Sequence, residues 1–216
     1  MNQKTRMTAD RHVIFYHSPQ SRSAGTLFLL EELGADYELR VLDLQKGEQR
    51  QGDYLGVNPM GKVPAIVHKG SLVTEQGAVY TYLADLYPEA GITPAIGDPL
   101  RGPYLRWLFF YGSSYEPALI DRSMKREPAP PSTSPYGTYD TMLQTLWNQL
   151  GDGPYLLGER FTAADVLWGM ALRWTTMFKL VPETAASKAY IERVTSRPAA
   201  LRAAKIDADI LAARAK

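Results

Sequence analysis

Cysteine is absent from all 216 residues, which excludes disulfide frameworks, cysteine-bearing metal sites, iron–sulfur clusters and a cysteine nucleophile of the chain's own. Any thiol chemistry must therefore use a thiol brought by a ligand. A charge excess of either sign is also missing: 24 Lys and Arg stand against 23 Asp and Glu, for a net charge of +1. No long-range field steers the chain toward nucleic acid or an anionic membrane. No run of about 18 apolar residues occurs, and the polar stretch Met1–Arg11 has no apolar signal-peptide core. Neither secretion nor membrane spanning finds support, and a soluble cytoplasmic protein is expected. No internal repeat is visible. Against these absences stand 45% hydrophobic and 11% aromatic residues, enough for a sizeable core in one large domain or two small ones.

The first half of the chain reads as mixed α/β. Val13–Tyr16 is a short β-prone run, and Ser23–Leu33 is helical, with Gly34 at the C-cap position. Tyr37–Val41 alternates and predicts a second strand, parallel to the first through a β-α-β unit. A polar loop runs to Gly56. Asn58–Val67 then approaches a strand with Pro64 at its start, and Lys69-Gly70-Ser71 predicts a hairpin turn into Leu72-Val73. Glu75-Gln76 opens a helix that Pro88 ends. The resulting β-α-β-β-β-α unit of roughly 80 residues is near the lower limit for independent stability and calls for a partner surface.

The second half reads as helix. Residues 12–88 form the α/β domain, 89–99 a linker punctuated by Gly91, Pro94 and Gly97, and 100–216 an all-helical domain. Pro117 predicts a break within Leu100–Ser123, and the four prolines of Glu127–Pro135 exclude helix there. Tyr139–Leu150, Tyr190–Ser196 and the Ala-rich Pro198–Lys216 are helical in pattern. Thr162 and Asp165 precede the apolar helix Val166–Phe178 at capping-box spacing. A hydroxyl and a carboxylate three apart at a helix start satisfy two orphan N–H groups, so the pair is read as structural, not catalytic.

Four segments, in order, carry a resemblance: Tyr16-His-Ser-Pro-Gln-Ser-Arg-Ser23 leading into Leu29-Leu-Glu-Glu-Leu-Gly34; Asn58-Pro-Met-Gly-Lys-Val-Pro-Ala-Ile66; Thr74-Glu-Gln-Gly-Ala-Val-Tyr-Thr-Tyr-Leu83; and Phe161-Thr-Ala-Ala-Asp-Val166. Together they resemble the cytosolic glutathione S-transferases from about His12 to Ala213. The resemblance implies a thioredoxin-like N-terminal domain that binds glutathione as co-substrate. It also implies an all-helical C-terminal domain that lends the electrophile pocket, a homodimer, a role in detoxification and no metal. It further implies a cis bond at Val63–Pro64, with the Val63 backbone pairing with the cysteinyl backbone of the bound tripeptide. Glu75 and Gln76 would take the γ-glutamyl α-carboxylate at a helix N-terminus, with Glu75 also meeting the ligand's ammonium. Gln76 stands where the family usually has Ser or Thr, and its amide can still donate. Gln49 and Lys62 are the candidates for the glycyl carboxylate.

Conjugation needs a thiolate from a thiol of pKa about 8.5. Lowering that by about two units takes roughly 2.7 kcal/mol. One hydroxyl bonded to the anion contributes about 1.5–3 kcal/mol and a helix N-terminus about 0.3–1 kcal/mol more, so no separate base is required. Tyr16, Ser18, Ser21 and Ser23 all lie between the first strand and the first helix. Ser21 falls near the hydroxyl of serine-type members and ranks first. Ser23, which also suits an N-cap, and Tyr16, at the position used by tyrosine-type members, follow, with Ser18 last. The nucleophile of cysteine-type members would fall on Arg22, so that class is excluded; Arg22 either adds positive potential near the sulfur or is a solvated charge. Trp107, Tyr111 and Tyr115, with Phe110, Trp174 and Phe178, are candidates to line the electrophile pocket, although such stripes are more often core. A glutathione transferase is thus expected. A glutathione-dependent peroxidase or isomerase, a non-catalytic carrier of apolar ligands, and a transferase-like interaction module are the rivals on the same scaffold.

Overall fold

The structure is a computed structural model that describes residues 10–215; of the polar stretch Met1–Arg11, all but Asp10 and Arg11 lies outside the described residues. The chain forms two compact units, one of residues 10–90 with 197–215 and one of residues 91–196.

The first unit is built on a sheet of order β2-β1-β3-β4. Strand β1 (Val13–His17) is followed by helix α1 (Ser23–Leu33) and strand β2 (Tyr37–Val41), parallel to β1 with Val13 opposite Tyr37. The short helix α2 (Gly52–Leu55) leads to β3 (Ala65–His68), which pairs antiparallel with β1, and to β4 (Ser71–Val73), antiparallel to β3. Lys69 and Gly70, with φ of 50° and 79°, make the two-residue mirror-image turn that matches strand twist. Helix α3 (Gln76–Leu86) closes the α/β part. Gly34 ends α1 in the left-handed region, and Ala35 N–H reaches back to Leu30 O at 3.0 Å, as a Schellman end requires.

Leu27, Phe28, Leu29 and Leu30 are all buried. Four consecutive residues cover a full turn, so α1 must be enclosed on every side. β1 and α3 contribute to this enclosure, and so does the last helix of the chain.

The second unit holds α4 (Arg101–Phe110), a π turn at Tyr111–Tyr115, α5 (Glu116–Ser123), α6 (Tyr139–Leu150), α7 (Ala163–Met177) and α8 (Ala185–Thr195). The break expected at Pro117 takes the form of that π turn, with Glu116 N–H bonding back to Tyr111 O. Proline has no N–H for the preceding turn and its ring crowds the carbonyl four residues back, so the ladder slips by one residue before α5 starts. The Pro-rich stretch 127–135 is irregular. The capping box at α7 is formed: Thr162 N–H donates to Asp165 Oδ2 at 2.8 Å. Asp165 Oδ1 additionally accepts Leu156 N–H at 2.8 Å and the Tyr190 hydroxyl at 2.9 Å.

The final helix, α9 (Pro198–Arg214), belongs to the first unit. The sequence division at 100–216 assigns it to the helical half, and the structure moves it. Its Ala199, Ala200 and Ala203 are buried, and such small side chains let it approach α1 closely. Arg197 Nε donates to Glu32 at 3.1 Å and Arg202 Nε to Glu31 at 2.8 Å, so both acidic side chains near the end of α1 are clamped to α9. This helix is the partner surface that so small an α/β unit calls for.

Candidate functional site

Period-two alternation in β1 sends neighbouring side chains to opposite faces. Tyr16 joins the cluster of Tyr54 and Ala65, its ring 5.2 Å from that of Tyr54, and is 8% exposed. Phe15 and His17 are fully buried, their rings 5.4 Å apart. The chain then turns through Ser18, Pro19 and Gln20, the last at φ 58°, and enters α1.

Three serines converge at this turn. Ser18 N–H donates to Ser23 Oγ at 3.0 Å, and the Ser21 hydroxyl reaches Ser18 O and Ser23 Oγ, each at 2.7 Å. Ser23 N–H donates to Ser21 Oγ at 3.2 Å. Ser23 is fully buried and Ser18 is 2% exposed, whereas Ser21 is half-buried. Among these serines, Ser21 is the one with a hydroxyl that a ligand can reach. Ser23 is not an N-cap: Arg22 occupies that position in helical conformation with no side-chain capping bond, and Ser23 points inward.

Ser23 Oγ also lies 2.8 Å from His17 Nδ1, and His17 Nε2 lies 2.7 Å from Asp207 Oδ1 on α9. Neither His17 nor Asp207 is singled out by sequence pattern. A trace of signal existed: Ala200, Ala203 and Asp207 fall on one helical face, so an acid sits among the buried alanines.

The segment before β3 is fixed from behind. The Val63–Pro64 bond is cis. The carbonyl of Lys62 accepts from the Tyr54 hydroxyl and from Asn58 Nδ2, the latter at 2.9 Å, and Asn58 Oδ1 accepts Met60 N–H at 3.1 Å. Burial pushes the Tyr54 phenol up, which keeps it a donor. Gly61 sits at φ 57°, and a Cβ there would stand 2.5 Å from Gln49 O, so only glycine fits. Lys62 is exposed and Gln49 half-buried. The Gln49 amide oxygen is buried with no hydrogen-bond partner; it is an acceptor that only a donor can satisfy, so a carboxylate would have to meet the amide nitrogen of Gln49 instead.

Glu75, exposed, immediately precedes α3 at φ 62°, ψ 119°, a sparsely populated conformation that costs about 1–3 kcal/mol and clusters at ligand clamps. The Gln76 amide donates to Arg22 O at 3.4 Å, tying the start of α3 to the start of α1. The starts of α3 and α1 thus meet beside Ser21, and the positive ends of their two dipoles suit an anion. Among the described residues, no group of three or more His, Cys, Asp or Glu could hold a metal ion.

The aromatic stripe of the second unit is chiefly core. Trp168, absent from the sequence-derived set, stands at its centre, 5.7 Å from Trp107, 5.9 Å from Tyr111 and 4.9 Å from Tyr115. Its indole N–H donates to Trp107 O at 2.9 Å. Trp107 is 1% exposed and Tyr115 fully buried, its hydroxyl 2.7 Å from Thr175 Oγ1. Neither offers a ligand any surface here, because rings on facing helices fill one another's gaps. Tyr111 is 7% exposed, while Trp174 and Phe178 are exposed and in ring contact.

Two family models match the chain: glutathione S-transferase, N-terminal domain, on residues 12–85, and glutathione S-transferase, C-terminal domain, on residues 137–198. The chain is 29% identical over 186 residues to glutathione S-transferase GstA of Escherichia coli O157:H7, covering 85% of this chain and 92% of that protein. It is 30% identical over 198 residues to the disulfide-bond oxidoreductase YfcG of Escherichia coli K12, covering 85% and 90%. Among solved structures it is similar to a glutathione transferase homolog from Sulfitobacter with bound glutathione, with TM-score 0.72 and 25% identity over 90% of this chain and 98% of that one.

Proposed function

The chain belongs to the glutathione S-transferase family, and from that premise we propose that it is a glutathione transferase whose Ser21 hydroxyl activates the thiol for addition to a hydrophobic electrophile. Val63 offers its backbone to the cysteinyl unit, Glu75 and Gln76 hold the γ-glutamyl end at the start of α3, and Gln49 and Lys62 take the glycyl carboxylate. Bound glutathione supplies the sulfur nucleophile that this cysteine-free chain lacks. A homodimer and a cytoplasmic setting accompany the reading. No helix among the described residues is long and apolar enough to cross a membrane.

The observation that carries this reading is the access of Ser21: its hydroxyl is half-buried at the start of α1, where Ser18, Ser23 and Tyr16 are closed off. An O–H aimed at a sulfur anion beside a helix N-terminus favours the anion by about 1.5–3 kcal/mol. Ser21→Ala is therefore expected to raise the apparent pKa of the bound thiol by about one to two units, read from thiolate ultraviolet absorbance against pH. If glutathione bound to the unaltered protein titrates as it does free in water, the carrier reading replaces the transferase one.

A further inference from the structure

The hydroxyl that meets the ligand is the outer end of a longer row. Asp207 Oδ1, His17 Nε2 and Nδ1, Ser23 Oγ and Ser21 Oγ follow one another at 2.7, 2.8 and 2.7 Å. Ser21 at one end is half-buried, Ser23 and His17 in the middle are fully buried, and the Asp207 carboxylate at the other end is 18% exposed.

Hydrogen counting gives the row a direction. A carboxylate only accepts, so His17 Nε2 carries a hydrogen and donates it to Asp207. In the neutral ring Nδ1 is then bare and accepts the Ser23 hydroxyl. Ser23 Oγ in turn accepts Ser21 O–H, leaving Ser21 Oγ with a lone pair toward the ligand side. The Ser18 carbonyl, 2.7 Å from Ser21 Oγ and 3.1 Å from Ser23 Oγ, is the competing acceptor: each serine has one O–H, which turns from this carbonyl when it donates along the row. The other charged groups on the surrounding elements turn elsewhere: Arg40 of β2 to Glu38, Arg202 to Glu31, Lys205 to Asp209, and Arg214 to Leu42 O. Arg22 at the head of α1 is exposed.

We propose that this row is a proton relay, in which a thiol proton delivered at Ser21 passes through the hydroxyls of Ser21 and Ser23 to His17 Nδ1 while Asp207 balances the charge. The proposal rests on the reading that places the glutathione thiol at Ser21. As the S–H bond breaks, Ser21 takes that proton and gives its own to Ser23, which gives its own to His17. Both hydroxyls are restored, the ring becomes an imidazolium beside a carboxylate, and no co-reactant is needed. Ser21 now donates toward sulfur, the direction that stabilises the anion. His17 and Asp207 act through the serines, as positioning residues.

The test uses the full chain with glutathione and with S-methylglutathione, which fills the same site but has no thiol proton to give. The nitrogen NMR signals of the His17 ring, recorded above the ordinary imidazole range, are expected to show a bare Nδ1 in the free protein and with S-methylglutathione, and a protonated one with glutathione. Asp207→Asn keeps the shape of the side chain but removes the compensating charge. It is expected to raise the bound thiol's apparent pKa by about one unit, a tenfold loss of thiolate at a given pH, with glutathione affinity changed less than about twofold. Should Asp207→Asn fail to fold, the NMR comparison on the unaltered chain decides. The relay is overturned if thiolate forms while His17 stays neutral, or if Asp207→Asn folds and leaves the thiol titration unmoved. If glutathione does not bind, or its thiol is not acidified in the unaltered protein, the transferase reading falls and takes the relay with it; those outcomes are distinct from thiolate formation without His17.

Discussion

At Glu75 a single residue holds both a strained backbone, at φ 62°, and an exposed carboxylate beside a helix start. Replacing it with alanine removes the partner proposed for the ligand's ammonium while touching no core. A lost hydrogen bond to a charged group is worth about 1.5–3 kcal/mol, so Glu75→Ala is expected to weaken glutathione binding by roughly tenfold to a hundredfold in calorimetric titration. The melting midpoint should stay nearly constant. Tyr16→Phe supplies the contrast. Its ring is held by Tyr54 and Ala65 on the sheet face opposite His17, so the bound thiol should titrate as in the unaltered protein; a shift there and none in Ser21→Ala would move the activating role to the tyrosine. Ser21 stood out in sequence by its spacing from Gly34. The closure of Ser23 did not, because burial depends on what α9 and β1 place around it.

The elements depend on their ends as much as on their faces. At α7 the Asp165 carboxylate receives Thr162 N–H, Leu156 N–H and the Tyr190 hydroxyl, and burial raises its pKa although every one of these bonds opposes the rise. Burial, together with the neighbouring carboxylate, also pushes the Tyr190 phenol up, so it remains the donor. Asp165→Ala leaves buried donors unpaired on three segments and is expected to destabilise the protein by about 2–4 kcal/mol, read from urea unfolding. Thr162→Ala, which loses the hydroxyl half of the cap, should cost about 1 kcal/mol. Nothing in the Thr-x-x-Asp spacing foretold the Leu156 and Tyr190 partners, since they arrive from outside the helix.

For the molecule as a whole, the decisive feature is that the last helix returns to the first unit. A chain of residues 1–90 alone leaves the α9 side of α1 bare and its Glu31 and Glu32 without Arg202 and Arg197, and it is expected to be poorly soluble. Joining residues 197–216 to it through a flexible linker should restore a cooperative thermal transition by circular dichroism. Equal solubility and cooperativity without that helix would mean that α9 is an accessory. What the sequence alone determined were features written within about ten residues of one another. The strand and helix periods, the Gly34 stop, the Lys69-Gly70 turn, the break at Pro117 and the α7 cap all depend on local dihedrals and on which N–H groups lack partners. The family motifs extended that to the cis bond at Val63–Pro64. Tertiary structure alone decided the rest: that α9 leaves the helical half, that Trp107 and Tyr115 close around Trp168, and that His17 meets Asp207 from 190 residues away. Apolar burial is non-directional, so an alanine face or an aromatic stripe announces that it will be covered without naming the surface that covers it.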